Sequence, residues 1–333
     1  MEKFVKEKFT ENVFDKIINR YGFKKESVKK LNSFQSFVYE CSHKEKKYII
    51  RITHSSHRTK KQIESELDWI NFLDQNGILV SKAINIERMN LIETINLDDS
   101  FFYTVVFEKA KGRPISKNDF CPTFFKNWGR VVGKMHFLSK IYSFKFDRPF
   151  WYQEDNYNID KFLPPDQLIV REKYGIILKK LESLPHLKNS FDLIHADLNS
   201  TNLFVNNDKI IIFDFDGCIY SWFIHDIAII IFHTLQFTDF LYDEQTFLEY
   251  FLKYFLLGYR EENILDKFWF EYLFDFIKLE EIGEYLLIYR SFNLNNLDKK
   301  NNKFIHERIN KIKNDIYFNN INKNIFFQII DDL

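Results

Sequence analysis

His195-Ala196-Asp197-Leu198-Asn199-Ser200-Thr201-Asn202, followed after a short connection by Ile211-Ile212-Phe213-Asp214-Phe215-Asp216-Gly217, decides how this chain is read. Between the two motifs, Leu203–Val205 and Lys209–Phe213 are β-branched and aromatic runs, and Asn206-Asn207-Asp208 supplies turn chemistry. A turn centred between Asn207 and Asp208 sets Val205 opposite Ile210, Leu203 opposite Ile212 and Asn202 opposite Phe213. Asn202 and Asp214 then finish side by side at the open end of a hairpin. Asp197 lies five residues before Asn202, close enough for its loop to reach the same point. Asp and Asn are also ordinary turn residues, but a turn role leaves both spacings and the hairpin to coincidence. One amide and two carboxylates gathered in this way suit phosphoryl transfer, with Asp197 orienting a hydroxyl and Asn202 and Asp214 holding magnesium.

Composition narrows the field. At 333 residues the chain has material for two domains or one large one. Its formal net charge is zero, from 47 basic and 47 acidic residues, which argues against bulk electrostatic capture of nucleic acid or an anionic membrane. The opening Met1-Glu2-Lys3-Phe4-Val5-Lys6 alternates charge with apolar residues, unlike a signal peptide. Apolar runs such as Ile227–Phe232 are too short to span a bilayer. Three scattered cysteines, Cys41, Cys121 and Cys218, fit a reducing cytoplasm and form no Cys-x-x-Cys pattern.

The order of elements predicts a strand-rich first third and a helical remainder. Residues 2–20 repeat apolar side chains at helical spacing, giving an amphipathic opening helix. Strands are expected over 29–41 and 46–53, a helix over 58–76 closed by Asn76-Gly77, further strands over 78–86 and 90–95, and a clear one over Phe101–Glu108. Lys111-Gly112-Arg113-Pro114 reads as a linker. Helical patterns then cover 121–142, 167–184, 223–237, 244–260 and 265–290, and the Asn- and Lys-rich tail from 293 to 324 reads as partly helical. The expectation is an α+β, bilobal fold: residues 1–109 form a small antiparallel-sheet lobe that binds nucleotide, and 110–333 a larger, mainly helical lobe with the catalytic loop and substrate pocket.

Glu66 is an independent pointer. It falls on the apolar stripe of Ile63, Leu67, Ile70 and Leu73, where a carboxylate is costly unless paired. Arg51, at the end of Tyr48-Ile49-Ile50, is the matching cation, placed to steady the nucleotide's phosphates. At the lobe junction, backbone groups of Glu108 (C=O) and Ala110 (N–H) are available to adenine, with Phe107 lining the ring pocket. His195 reads as a brace for the catalytic loop. Asp226 reads as a helix cap or a support for that loop. Asp216 either reaches a metal or a substrate cation, or occupies the turn before Gly217.

These residues resemble the aminoglycoside phosphotransferase and choline kinase group of the protein-kinase-like fold. The resemblance rests on His195-Ala196-Asp197-Leu198-Asn199-Ser200-Thr201-Asn202, on Phe213-Asp214-Phe215-Asp216, and on His225-Asp226-Ile227-Ala228; Gly133-Lys134-Met135-His136 is similar to the group's helix end. It spans about residues 30–290 and implies Asp197 as catalytic base or hydroxyl-orienting residue, with Asn202 and Asp214 as magnesium ligands. Three departures stand out. Arg51 replaces the usual Lys, keeping the charge and a bidentate grip on phosphate. The loop Leu31-Asn32-Ser33-Phe34-Gln35-Ser36 lacks a Gly-x-Gly-x-x-Gly, so the backbone amides of Ser33, Phe34, Gln35 and Ser36 are left to cover the phosphates. Asp-Phe-Asp stands where protein kinases have Asp-Phe-Gly, which disfavours a flipping activation segment.

The expected activity is ATP- and Mg2+-dependent transfer of the γ-phosphoryl group to a hydroxyl of a small molecule: an aminoglycoside, choline or another amino alcohol, or a homoserine-like acceptor. Asp216, Tyr220, Trp222, Glu280, Glu281 and Tyr285 are loose candidates for lining its pocket. A non-catalytic nucleotide-binding protein of the same fold, a Ser/Thr protein kinase and a metal hydrolase are the rivals. The complete Asp197–Asn202–Asp214 set, the short span from Asp214 to Asp226 and the scarcity of His ligands weigh against them in that order.

Overall fold

The computed structural model describes residues 2–86, 89–143, 148–237, 244–292, 294, 299–314 and 323–332. It divides into two compact units. The first comprises 1–112, 143–148 and 211–216; the second comprises 113–142, 149–210 and 217–333.

The first unit opens with two helices where apolar periodicity predicts one. α1 (Lys3–Lys8) stops before Thr10, whose side chain accepts from Val13 N–H and starts α2 (Glu11–Arg20). A cap bond satisfies donors that a continuous helix would satisfy otherwise, so the hydroxyl's position breaks the run. Strands β1 (Lys29–Leu31), β2 (Phe37–His43) and β3 (Lys46–His54) follow, and Lys44 and Glu45, both with positive φ, make the tight turn between the last two. α3 (Lys60–Gln75) begins in a capping box between Thr59 and Gln62 and ends before Asn76 and Gly77. β4 (Glu93–Asn96) and β5 (Phe101–Glu108) complete an antiparallel sheet of order β1-β2-β3-β5-β4. The expected strand over 78–86 survives only as isolated bridges from Val80 and Ala83.

Strand alternation sorts the sheet's two faces. Phe37, Tyr39, Cys41, Ile50, Ile52 and Phe102 join Ile17, Ile18 and Tyr21 of α2 in one core. Arg51, between Ile50 and Ile52 and opposite Val105, belongs to the other face.

The second unit begins with β6 (Arg113–Pro114), a two-residue strand paired with Val205 and Phe204 where a linker was expected. Its helices are α4 (Pro122–Ser139), α5 (Ile159–Phe162) and α6 (Leu168–Glu182). β7 (Phe191–Ile194), β8 (Leu203–Asn206), β9 (Lys209–Ile212) and β10 (Ile219–Trp222) frame the motifs quoted above. Asn207 and Asp208 form the β8–β9 turn with positive φ, as their residue types require. β9 runs from the second unit into the first. α7 (Phe223–Phe237), α8 (Glu244–Arg260), α9 (Lys267–Phe270), α10 (Leu273–Ser291), α11 (Lys299–Lys313) and α12 (Lys323–Asp332) follow. The expected helix over 265–290 is broken between α9 and α10. Of the tail from 293 to 324, residues 293, 295–298 and 315–322 lie outside the described residues.

Glycine sets how closely α4 and α8 approach. A Cβ at Gly258 would lie 1.8 Å from the Lys126 carbonyl oxygen, and one at Gly129 would lie 1.8 Å from that of Phe255. Backbone cannot yield there. In α6, by contrast, Gly175 has open space around the same position. Gly258→Ala should therefore lower stability by about 3 kcal/mol or more, while Gly175→Ala should raise it by about 0.5–1 kcal/mol. Thermal or urea unfolding of the pair checks the opposite signs, and equal shifts would refute the packing account.

Candidate active site

In the first unit, Arg51 and Glu66 meet as their positions predict. Arg51 Nη1 donates to Glu66 Oε1 at 2.7 Å and Nη2 to Oε2 at 2.5 Å, with both side chains at most 6% exposed. Phe107 lies 5.1 Å from the guanidinium, on the same face of the sheet. Burial pulls the Arg51 pKa down, but Glu66, Asp216 and Asp214 outweigh it and hold the cation more firmly than in water.

Asp214 is delivered to the same unit by the end of β9. Ile212 N–H donates to Leu79 O and its carbonyl accepts from Ser81 N–H, each at 2.9 Å. Phe213 leads into Asp214, which has φ +66°, a left-handed conformation that costs an L-residue roughly 1–2 kcal/mol. Its carboxyl is pushed up to about 6, chiefly by burial; Arg51 opposes the shift, and Asp216 and Glu66 add to it. Lysine, arginine or histidine makes no ion pair with it among the described residues. A carboxylate that no cationic side chain pairs fits a divalent cation.

Asp216 behaves differently from its neighbour. His57 Nε2 lies 2.7 Å from Oδ2, while Arg58 Nε and Arg51 Nη1 lie 3.6 and 3.9 Å from Oδ1. Against the cost of burial, His57, Arg58 and Arg51 hold this carboxyl well below the usual range. Of its possible roles, the turn is realised, in the 3-10 segment Phe215–Gly217, and the cations it meets are the protein's own.

The second unit contains Asp197 and Asn202 in mutual contact. The Asn202 side-chain amide donates to Asp197 Oδ2 at 2.7 Å and to its backbone carbonyl at 2.8 Å. Asn199, not singled out in the sequence, donates to Oδ1 at 2.7 Å. Facing a carboxylate fixes which end of the Asn202 amide is nitrogen, so its carbonyl oxygen is the end not bonded to Asp197 and has the lone pairs a cation needs. Gly217 backs onto this loop: a Cβ there would stand 3.6 Å from Asp197 Cβ.

A buried carboxylate organises that loop from behind. Asp226, with no exposed surface, accepts from His195 N–H at 3.0 Å and Ala196 N–H at 2.8 Å, and lies 3.1 Å from His136 Nε2. Burial raises its pKa, yet His136, His195 and the Ala196 amide bring it below the ordinary value. Of its two sequence readings, support of the catalytic loop is the one the bonds describe. Ala196 has φ +60°, a geometry for which the resembling motif carries glycine. His195 Nδ1 accepts from Asp197 N–H at 3.2 Å, bracing the loop from within.

The remaining nucleotide-side candidates are local to the first unit. Ser33 Oγ donates to Ser36 O, Ser36 Oγ lies 2.9 Å from Thr53 Oγ1, and Phe34 projects into solvent. Glu108 O accepts from Ser81 Oγ, which leaves it one further lone pair, and Ala110 is half-buried beyond the strand. Among the acceptor-side candidates, Trp222, Tyr285 and Glu281 are core residues, whereas Glu280 accepts from Tyr157 Oη at 2.6 Å and pairs with His225 Nε2 at 2.8 Å. His57, Arg58 and Arg148 carry no sequence signal as site residues; only His57-Arg58 preceding the Thr59 cap hints that their position is fixed.

Comparison with known proteins places this geometry. Residues 27–262 match the family described as "Phosphotransferase enzyme family". The amicoumacin kinase of Bacillus subtilis (strain 168) is 32% identical over 300 residues, covering 89% of each chain. A solved structure of the amicoumacin kinase hAmiN in complex with AMP-PNP, Ca2+ and Ami superposes with a TM-score of 0.88 at 33% identity, over 95% of this chain and 96% of that one. A microcompartment-associated aminopropanol kinase shares the fold, with a TM-score of 0.73 at 18% identity over 91% and 95% of the two chains.

Two outcomes follow from the buried charges. Glu66→Gln leaves the Arg51 cation without its counter-ion and should cost about 3–5 kcal/mol, read by urea unfolding. A carboxyl whose folded pKa is raised to about 6 from 3.8 stabilises the fold below about pH 4, and that contribution is lost as the pH rises through 6. Asp214→Asn removes the burden, so its stability advantage over the metal-free parent should shrink between pH 7 and pH 5. A difference independent of pH would contradict the assignment.

Proposed function

The chain belongs to the phosphotransferase enzyme family, and from that premise we propose that it is an ATP- and Mg2+-dependent kinase that phosphorylates a hydroxyl of a small, amine-bearing molecule. The observation that carries this reading is the bond between the Asn202 amide nitrogen and Asp197, which fixes the carboxylate and leaves the amide oxygen as the end not bonded to it.

Asp197 orients the acceptor hydroxyl and takes its proton late in transfer. Its two oxygens accept amide hydrogens from Asn199 and Asn202, which hold the carboxylate in one orientation for the incoming O–H. Asn202 Oδ1 and the Asp214 carboxylate would hold magnesium, which when bound neutralises charge on the β and γ oxygens. Arg51, fixed by Glu66, steadies the α and β phosphates. The amides of Ser33, Phe34, Gln35 and Ser36 cover them, while Phe107, Glu108 and Ala110 receive the base. In this scheme residues 1–109 serve the nucleotide and 110–333 the acceptor. Phosphoryl transfer of this kind is mainly positioning and electrostatics.

The acceptor reading leans on Glu280. Its two partners are the Tyr157 phenol and the His225 imidazole, and no lysine or arginine meets it among the described residues. A carboxylate so placed suits an ammonium group. Amicoumacin, named for the relatives, is the first acceptor to try, followed by amino alcohols and aminoglycosides. Between Asp214 and α7 the chain spends its residues on the 3-10 turn and β10, which leaves no peptide-docking segment and disfavours a protein substrate. Three cysteines, none of them in a disulfide, suit work in a reducing cytoplasm, and among the described residues no helix is long and apolar enough to cross a membrane.

An ATP-consumption screen over these acceptors identifies the substrate. With it in hand, Asp197→Asn should retain nucleotide affinity and lose turnover by about 10²-fold or more, and Asp214→Ala should abolish magnesium-dependent turnover. Near-normal turnover by Asp197→Asn would remove that residue's role.

A further inference from the structure

The segment carrying Asp214 is held by more positive charge than its own stability calls for. Arg58 Nη2 and Arg148 Nη2 both donate to one backbone carbonyl, that of Asp216, at 3.0 and 2.6 Å. Arg148 Nη1 donates at 3.0 Å to the carbonyl of Gln62, in the first turn of α3. His57 holds the Asp216 carboxylate, and Arg51 reaches from Glu66 on α3 toward the same group. His57, Arg58 and Arg148 are all nearly buried.

Taking three guanidinium groups out of water costs several kcal/mol each unless bonds compensate, and a neutral capping side chain would close the same turn more cheaply. What the cluster adds is position. Arginines aimed at main-chain carbonyls fix where the backbone runs. Arg148 ties that backbone to the helix that carries Glu66. Two residues upstream, Asp214 sits at a positive φ that it does not prefer.

We propose that Asp216, clamped by His57, Arg58 and Arg148, is a positioning residue that presets the Asp214 carboxylate for a divalent cation and keeps it in register with the Arg51–Glu66 pair. The proposal rests on the reading of Asp214 as a metal ligand. Magnesium demands near-ideal octahedral geometry, so a carboxylate fixed in advance binds it more tightly than one that must be ordered by the ion. Groups that orient a ligand from behind commonly matter 10–100-fold to metal affinity.

The test is electron paramagnetic resonance titration of Mn2+ in the presence of AMP-PNP, with AMP-PNP affinity measured separately by calorimetry without metal. The parent protein should bind Mn2+ and Asp214→Asn should not. Arg148→Gln and Asp216→Asn should weaken Mn2+ by about tenfold or more, with metal-free nucleotide affinity changed less than about twofold, and Arg148→Lys should recover part of the loss. Circular dichroism establishes folding, and Asp216→Asn decides the matter if Arg148→Gln does not fold. Parental Mn2+ affinity in Arg148→Gln and Asp216→Asn, beside its loss in Asp214→Asn, would overturn this proposal while leaving Asp214 a ligand. Absence of Mn2+ binding in the parent would overturn both.

Discussion

The bidentate bond between Arg51 and Glu66 governs the first unit, because neither charge can remain buried without the other. Satisfying it requires a cation on one face of the sheet, an acid on the inward stripe of α3, and a fixed distance between them. The opposite face is mainly apolar and packs against α2, with Thr104 and Glu93 on it bonded to Tyr21 and Arg20. Asp214 and Asp216 enter the same electrostatic field and are driven apart by it. Asp216 is surrounded by cations and stays charged, whereas Asp214 has no ion pair among the described residues and its charge is costly. Two acids one residue apart thus acquire different chemistry from their surroundings alone.

The second unit repeats the device with other residues. Asp226 lies at the start of α7 and uses its carboxylate on the amides of His195 and Ala196, with His136 and its Tyr259 partner behind. Those bonds stabilise the left-handed turn at Ala196 that brings Asp197 round to meet Asn202 and Asn199. A buried, fully bonded carboxylate far along the chain is therefore the reason that a loop without regular structure has a definite shape.

Much of this was legible in the residues. The hairpin between Asn202 and Asp214 follows from β-branched runs flanking an Asn-Asp turn, and the Arg51–Glu66 pairing follows from one acid on an apolar helical stripe. Both are local or periodic patterns. The break at Thr10, the short β6 and the split between α9 and α10 were missed because a single cap bond or a non-local strand partner overrode the periodic signal. His57, Arg58 and Arg148 were missed for a further reason. Their partners are backbone carbonyls, and a carbonyl carries no mark of its identity in the sequence.

By itself, then, the sequence determined the kinds of elements, the turn residues and the polar groups that had to find partners, since these depend on side-chain chemistry and on spacings of a few residues. Tertiary structure alone decided which acid is neutralised by arginines and which has no ion pair among the described residues, and it set Asp226 against the amides of His195 and Ala196. Those outcomes depend on burial and on neighbours up to about 160 positions away, and the cost of moving a charge out of water has no counterpart in a linear string.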